Sequence, residues 1–191
     1  MTNKQTYVIV PGWNGSPAEH WQSHWQRTLP NAVRVEQQNW QQPGLQQWVA
    51  TLEQTLAGVS GPVTLIAHSL GCITVAHWTL QARPEMLAKV RGALLVAPAD
   101  VERLDCPREL VNFAPVPQTA LPFPSVLVGS SNDHAASRER ALAFAAAWGS
   151  EAVILERAGH INIDSGHRQW EQGFAFLYRL QEKAETGLLC A

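Results

Sequence analysis

The serine of the segment AHSLG, Ser69, follows an apolar run at residues 62–67 and precedes a helical pattern that begins at Leu70. A serine at such a sharp strand-to-helix turn presents its hydroxyl outward, and small residues two positions before and after it let the two backbones approach closely. Ala67 and Gly71 occupy these positions, so a methyl group replaces the first glycine of the usual Gly-x-Ser-x-Gly pattern. The sequence therefore predicts that Ser69 is a nucleophile.

Two residues that could activate this serine follow other predicted strands. A serine hydroxyl needs a histidine base that is oriented by a carboxylate, and reactive groups gather beyond the carboxyl ends of parallel strands. Asp133 follows the predicted strand at residues 125–129, and His160 follows the one at residues 152–155. The chain order Ser69, Asp133, His160 is also the order of α/β-hydrolase triads. We therefore predict a Ser-His-Asp triad with Asp133 as the acid and His160 as the base.

Other acidic and histidine side chains remain as alternatives for these roles. Asp100 follows the predicted strand at residues 92–97 and is the main rival of Asp133 for the role of the acid. His134 is a weaker candidate for the base, because it is predicted to begin a helix. His167 is expected to cap the last helix or lie on the surface, and Asp164 is expected to bond within its own loop.

The turn after Ser69 also predicts part of an oxyanion-binding site. The backbone N–H of Leu70 and the positive end of its helix are expected to point at an oxyanion formed on the substrate. The second donor is expected from the loop after the first strand, where we favour the N–H of Trp13 and keep Asn14 as an alternative. His68 is expected to pack and hydrogen-bond inside the turn rather than act as the base. Asn14 and His68 are both predicted to line the substrate pocket.

The segment at residues 101–124 interrupts the alternation of strands and helices. It is rich in proline and is predicted to be an irregular excursion with one short helix. We expect this excursion to edge the substrate pocket, with Phe113 and Phe123 as apolar wall residues. Filling of the core is the equal alternative for both side chains. The excursion is too short for a separate cap domain, so we predict an open pocket.

The remaining pattern predicts the elements that position these residues. Short apolar runs alternate with helical patterns, which is typical of a parallel sheet with helices on both faces. The strands are predicted at residues 7–10, 33–36, 62–67, 92–97, 125–129 and 152–155. The helices are predicted at residues 17–29, 45–58, 70–82, 135–148 and 167–184, the first with a capping box at Ser16-Pro17-Ala18-Glu19. We therefore predict an α/β protein with a parallel sheet of about six strands, a single domain over residues 1–191, and no cap domain.

A repeated pair of histidine and tryptophan occurs near the N-terminus. His20-Trp21 and His24-Trp25 recur at a spacing of four, which places two histidines on one helical face. That spacing suits zinc, but no nearby glutamate completes a metalloprotease motif, so packing is the favoured explanation. The purpose of this cluster stays open, and no metal or organic cofactor is predicted.

Composition argues against several functional classes. Hydrophobic residues make up 46% and charged residues 16% of the chain, so a packed core rather than disorder is expected. A formal net charge of −2 without a basic stripe argues against nucleic acid as a partner. No apolar run approaches the length of a membrane span, so no membrane partner is expected. Cys72, Cys106 and Cys190 form no CxxC pair, and without an export signal we expect free thiols and a cytoplasmic location.

Five segments in the same order resemble one known family. They are PGWNGSPAEHWQSHW, AHSLG, LVAPAD, LPFPSVLVGSSND and GHINIDSGHRQW, and together they span nearly the whole chain. The chain resembles the small single-domain serine hydrolases related to the human retinoblastoma-binding serine hydrolase. The resemblance implies that the predicted α/β domain is a minimal α/β-hydrolase fold, without the first two strands of larger relatives. It also implies Ser69 as the nucleophile, Asp133 as the acid and His160 as the base.

These observations lead to an expected reaction, which is acyl transfer to water. The expected substrates are small acyl compounds, above all carboxylic esters, and the triad would act through an acyl-enzyme intermediate. Cleavage of peptides or thioesters by the same triad is one alternative. The other is a non-catalytic protein-interaction module on a hydrolase scaffold, because a fold does not imply a function. No particular protein partner is predicted.

Overall fold

A computed structural model describes residues 4–189 of the chain, with side chains described as far as residue 185. Its six strands form one sheet in the order β2-β1-β3-β4-β5-β6, and all neighbouring pairs are parallel. The strands are β1 Thr6–Val10, β2 Ala32–Arg34, β3 Val63–His68, β4 Val90–Val96, β5 Ser125–Ser130 and β6 Glu151–Leu155. This confirms the predicted parallel α/β architecture with about six strands.

Helices cover both faces of this sheet, as predicted. They are α1 Trp21–Thr28, α2 Leu45–Ala57, α3 Leu70–Thr79, α4 Pro84–Leu87, α5 Arg138–Trp148 and α6 Phe174–Leu189. One hydrophobic core joins α2, α3 and α5 to one face, and a second core joins α1 and α6 to the other. Neighbouring residues of β3 serve different cores, Leu65 the first and Ile66 the second, because successive side chains of a strand point to opposite faces. None of the helices in the described part of the chain has the length and apolar character of a membrane span.

The strand order creates a crevice at one end of the sheet. The chain passes from β1 to β2 on one side and then to β3 on the other, so β1 lies at a topological switch point. Loops that leave neighbouring strands there in opposite directions open a crevice beyond their carboxyl ends, where α/β proteins bind ligands. Ser69 follows β3 directly and therefore lies beside this crevice.

The predicted start of α1 is wrong. The capping box at Ser16-Pro17-Ala18-Glu19 does not form, and the helix begins at Trp21 after His20, whose Nδ1 accepts a hydrogen bond from the N–H of Gln22 at 3.1 Å. Ser16 instead donates its hydroxyl to Oε1 of Gln22 at 2.7 Å. A tertiary contact therefore takes the hydroxyl that the sequence pattern assigns to a helix cap.

Two later helices also begin after their predicted starts. Ser137 caps α5 by accepting a hydrogen bond from the N–H of Arg140, so His134 does not begin this helix. The last helix begins at Phe174 rather than at His167, because the chain first makes a 3₁₀ turn at Glu171–Gly173.

Two of the three cysteines lie within the residues that the structure describes. Cys72, buried in α3, and the half-buried Cys106 are free thiols, as predicted. Burial raises the pKa of the Cys72 thiol, so it is a packing residue rather than a reactive one. Cys190 lies outside the described residues.

Candidate active site

Ser69 occupies a strained turn between β3 and α3. Its φ of 54° lies in the left-handed region, where a residue with a side chain persists only if its surroundings hold it. A Cβ on Gly71 would overlap the carbonyl oxygen of Val10 and lie 2.8 Å from that of Pro11. A Cβ on Gly12 would lie 2.8 Å from Cβ of Ser69. The glycines thus allow the turn to press against the end of β1, as the sequence pattern predicts for Gly71.

A continuous chain of hydrogen bonds joins Ser69 to His160 and Asp133. Oγ of Ser69 lies 2.9 Å from Nε2 of His160, and Nδ1 of His160 lies 2.9 Å from both carboxylate oxygens of Asp133. A carboxylate only accepts, so Nδ1 donates to Asp133 and Nε2 is left to accept the Ser69 hydroxyl proton. The side chains of Asp133 and His160 are 2% and 11% exposed, so little water competes for these bonds.

The ends of β5 and β6 fix the segment that carries His160. The N–H of Ala158 donates to Oγ of Ser130 at 3.0 Å, and the N–H of Gly159 donates to Oδ1 of Asn132 at 2.8 Å. Gly159 has a φ of 58°, which suits glycine, and leads directly into His160. Since Asp133 follows Asn132, the loops after the two strands position the acid and the histidine as one unit.

Two buried histidines surround the backbone and ring of His160. Nε2 of His68 lies 2.9 Å from the carbonyl oxygen of His160 and donates to it, while the ring of His20 lies 4.9 Å from that of His68. Burial, followed by the charges of Arg34 and His160, lowers the pKa of His20 to about 3. Burial also holds the pKa of His68 well below its ordinary value. Both rings are therefore neutral, and as predicted His68 bonds to the backbone rather than to Ser69.

The alternative residues make other contacts. Asp100 pairs with Nε of Arg140 at 3.1 Å and so does not contact His160. The ring of His134 is 75% exposed and points toward Asp133, with Nδ1 3.9 Å from Oδ1. His167 bonds within its own loop to Ser165. Among the candidates for the acid, the structure thus brings Asp133 to the histidine and leaves Asp100 apart.

The predicted oxyanion donors belong to the two chain segments that meet at Ser69, the start of α3 and the loop after β1. Leu70 begins α3, so its N–H has no partner within the helix. The N–H of Asn14 donates to the carbonyl oxygen of Trp40 at 3.0 Å and is already engaged. Of the two candidates in the loop after β1, this favours Trp13, whose neighbour Gly12 touches the turn at Ser69.

A cavity of about 520 Å³ opens beside Ser69, within the range of small-molecule sites. Its lining comes from the loops after β1, β2, β3 and β6: Trp13, Asn14, Gly15, Ser16, Pro17, His20, Arg34, Trp40, His68, Ser69, His160, Asn162, Ile163 and Asp164. Asn14 and His68 line it, as predicted, and Asp164 is exposed at its edge rather than bonded within its loop.

The predicted wall residues Phe113 and Phe123 do not line this cavity, and neither does the excursion at residues 101–124. Phe113 ends a 3₁₀ helix at Arg108–Phe113 and packs edge-on against Trp48 of α2, with ring centroids 5.8 Å apart. Phe123 is buried in the same core. The prediction of a pocket wall is wrong because Phe113 packs against α2 and Phe123 lies in the same core, so core filling is the correct alternative.

The two tryptophans of the repeated pairs, Trp21 and Trp25 of α1, hold the segment after His160. Nε1 of Trp21 donates to the carbonyl oxygen of Ile161 at 2.9 Å, and Nε1 of Trp25 donates to that of Gln169 at 3.1 Å. Trp170 completes this tryptophan cluster, with its ring 5.0 Å from Trp21. The cluster thus clamps the segment after His160 onto α1. The described residues contain no group of three or more metal-ligating side chains.

Sequence reasoning did not assign several residues to the cavity that line it in the structure, among them His20, Arg34 and Trp40. Arg34 carried a usable signal, because it lies at the carboxyl end of β2 and strand ends are the criterion that selects Asp133 and His160. His20 and Trp40 carried no such signal. They reach the cavity only through the packing of α1 and of the loop between β2 and α2.

Comparison with known proteins gives a family match and several structural relatives. A sequence model described as serine hydrolase matches residues 7–179. No curated protein matches the chain. A Pectobacterium atrosepticum protein, described as a YdeN-like hydrolase, is 37% identical, with a TM-score of 0.80 over 96% of this chain and 92% of that one.

Two more distant structures are similar in fold alone. The ydeN gene product of B. subtilis is 19% identical, with a TM-score of 0.76 over 94% of this chain and 99% of that one. Est1E from Butyrivibrio proteoclasticus is 15% identical, with a TM-score of 0.69 over 95% of this chain and 90% of that one. Both likenesses extend over the whole sheet and its helices.

Proposed function

The chain belongs to the serine hydrolase family, and we propose that it hydrolyses small carboxylic esters with Ser69 as the nucleophile. The observation that carries this proposal is the unbroken chain of 2.9 Å contacts from Ser69 through His160 to Asp133. In this arrangement His160 is the general base and acid, and Asp133 orients its ring.

The proposed reaction has two half-reactions. Oγ of Ser69 attacks the carbonyl carbon of the ester while its proton passes to Nε2 of His160. His160 then gives this proton to the leaving alcohol as the carbon–oxygen bond breaks, which leaves an acyl group on Ser69. In the second half, His160 takes a proton from water, and the resulting hydroxide attacks the acyl group. The bond between the acyl carbon and Oγ of Ser69 then breaks as His160 returns its proton to Oγ, which releases the carboxylic acid and restores the serine hydroxyl.

Backbone donors stabilise the tetrahedral intermediates in this proposal. The proposed oxyanion hole consists of the N–H of Leu70, which follows Ser69, and the N–H of Trp13, whose neighbour Gly12 touches the turn at Ser69. Such donors act where charge develops in the transition state and are worth about 10²–10³ in turnover each. The strained φ of Ser69 supports this role, because the turn that causes it aims the start of α3 at the reacting carbon.

Acyl chemistry also occurs among the structural relatives. Est1E has been solved with ferulic acid bound, and BorB from the borrelidin biosynthetic cluster is a type II thioesterase. Both are under 25% identical to this chain and support only a shared scaffold. We propose esters rather than thioesters or peptides as the substrates. Kinship with the retinoblastoma-binding serine hydrolase and a cytoplasmic location remain predictions.

A fluorophosphonate probe tests the nucleophile. We expect wild-type protein to be labelled and to hydrolyse 4-nitrophenyl acetate, whereas Ser69→Ala should lose both properties because no hydroxyl lies beside His160. Ser60→Ala, which changes an exposed serine before β3, is the matched control and should behave as wild type. Equal labelling of wild type and Ser69→Ala would refute the assignment.

Paired carboxylate variants test the acid. We expect Asp133→Asn to lower kcat by about 10⁴, because the amide favours the wrong tautomer of His160. Asp100→Asn changes the rival carboxylate, which pairs with Arg140, and should leave kcat unchanged. A loss of activity in Asp100→Asn alone would reverse the assignment.

A substrate panel separates the proposed esterase from its alternatives. Matched esters, thioesters and anilides of one acyl group should give the highest kcat/KM for the ester. A higher value for the thioester or anilide would make the protein a thioesterase or peptidase with the same nucleophile. No turnover and no probe labelling would leave the interaction module as the better explanation.

A further inference from the structure

The cavity beside Ser69 has a cationic wall that the proposed reaction does not use. Arg34 is the last residue of β2, and its side chain is only 12% exposed although it lines the cavity. The strand order places β2 beyond β1, so Arg34 and Ser69 approach the crevice from opposite sides of the loop after β1. A substrate that fills the cavity therefore reaches both residues.

Neutral groups hold the Arg34 guanidinium in place. Nη1 donates to Oγ of Ser23 at 2.9 Å, and Nη2 donates to the carbonyl oxygen of Ser16 at 3.0 Å. Nε lies 3.2 Å from Oε1 of Glu36. These contacts use at most three of the five N–H donors of the group. The guanidinium is thus fixed in orientation and still has donors to offer a ligand.

The charge of Arg34 is only weakly compensated. Glu36 is 68% exposed, so water screens its carboxylate, and exposed ion pairs of this kind contribute little. Burial lowers the pKa of the Arg34 guanidinium, and the charge of Glu36 acts in the opposite direction. Asp164, the acidic residue of the lining, is exposed on the far loop.

The surroundings of Arg34 suit a small organic anion. A fixed guanidinium binds a carboxylate through two parallel hydrogen bonds, and this bond is stronger away from water. The ring of Trp40, 5.7 Å from the guanidinium carbon, and Trp13 add aromatic surface for the carbon skeleton of such a ligand. The cavity thus combines a nucleophile at one side with an anion-binding group at the other.

We propose that Arg34 determines specificity for esters that carry a carboxylate, which it binds while Ser69 attacks the ester carbonyl. This inference rests on the proposed esterase function, since it names the substrate class of the same site. The carboxylate lies on either the acyl or the alcohol part, and two pairs of substrates distinguish these positions.

Matched esters test the inference by kinetics. The acyl pair is the 4-nitrophenyl monoester of adipic acid and 4-nitrophenyl hexanoate, and the alcohol pair is 4-acetoxybenzoate and its methyl ester. In at least one pair, wild-type protein should show a kcat/KM about tenfold to hundredfold higher for the anion, the value of one charge-assisted contact. Arg34→Gln should abolish this preference, measured as the ratio of the two kcat/KM values within a pair, and Arg34→Lys should retain part of it. Equal or lower kcat/KM for both anions in wild type would overturn the inference.

A control variant separates this site from a general charge effect. Arg27→Gln removes the same charge from an exposed arginine of α1 that bonds to the carbonyl oxygen of Ala18 and does not line the cavity. It should retain the preference for the anion. Loss of the preference in Arg27→Gln as well as Arg34→Gln would mean that net charge, rather than Arg34, attracts the substrate.

Binding without turnover distinguishes failure of this inference from failure of the proposed function. Calorimetry should detect adipate binding to Ser69→Ala, and the additional change Arg34→Gln should weaken it at least tenfold. If wild type hydrolyses neutral esters but adipate binding does not depend on Arg34, the proposed esterase function is supported and the inference about Arg34 is refuted. If no ester is hydrolysed but adipate binding depends on Arg34, the esterase falls and the anion site stands.

Discussion

Buried tryptophans lie on both faces of the sheet, but on each face their indole N–H groups bond to a different loop. On the face of α1 and α6, Trp21 donates its indole N–H to Ile161, next to His160. On the opposite face, Trp148 makes the same kind of bond, 2.8 Å long, to the carbonyl oxygen of Pro117 in the excursion at residues 101–124. The two hydrogen bonds are of the same kind. The loop whose carbonyl oxygen accepts the bond therefore decides whether the tryptophan supports the candidate site or only the fold.

The largest expected change in stability arises on the face of the sheet where the excursion at residues 101–124 packs. Phe113→Ala removes a fully buried ring from the core against Trp48 and should lower the free energy of unfolding by about 3–5 kcal/mol. Since Phe113 does not line the cavity, kcat per probe-labelled molecule should be unchanged. Urea unfolding and active-site titration check the two values, and Phe113→Leu provides a milder version if the alanine variant is unstable. A fall in kcat for both variants would contradict the separation of the two faces.

An intermediate change in stability should arise on the opposite face when the pH falls. His20 and His68 have folded-state pKa values far below the value of about 6.5 in an unfolded chain. The unfolded state therefore takes up more protons as the pH falls below that value, and stability is lost on acidification. The two groups together should reduce the free energy of unfolding by about 2 kcal/mol between pH 7 and pH 5.5.

A variant identifies the source of this loss. His20→Asn keeps a side chain that can cap α1 but does not titrate, so about half of the loss should disappear. Urea unfolding of both proteins at the two pH values measures it. The same pH dependence in wild type and variant would show that His20 contributes nothing.

The features that the sequence can predict are positions along the chain that follow from local pattern. Ser69 comes directly after β3, and Asp133 and His160 lie in the loops that follow β5 and β6. A parallel sheet brings such residues to one edge whatever the details of packing. Gly71 was predictable for a similar reason, because a close approach of strand and helix excludes a Cβ. The fold class followed from the alternation of apolar runs and helical patterns.

The residues that were not predictable depend on contacts between distant parts of the chain. Phe113 is apolar and follows a strand by many residues, and nothing local says that its loop packs over α2 rather than beside Ser69. Ser16 has the sequence of a helix cap and loses that role to a bond with Gln22. Trp21 was correctly predicted to pack, but its bond to Ile161 joins residues far apart in sequence.

The smallest effect tests the comparison most directly. Trp21→Phe and Trp148→Phe each remove one indole N–H from a buried backbone carbonyl, so each should cost about 1–3 kcal/mol of stability. Only Trp21→Phe frees the segment after His160, and the resulting displacement of the imidazole should lower kcat by about tenfold. Trp148→Phe should keep the wild-type kcat at the same loss of stability. Measuring kcat and the free energy of unfolding for both variants separates two explanations. Equal losses of kcat would mean that tryptophan affects the candidate site through overall stability. A loss of kcat in Trp21→Phe alone would mean that tryptophan affects the site through the loop whose carbonyl it binds.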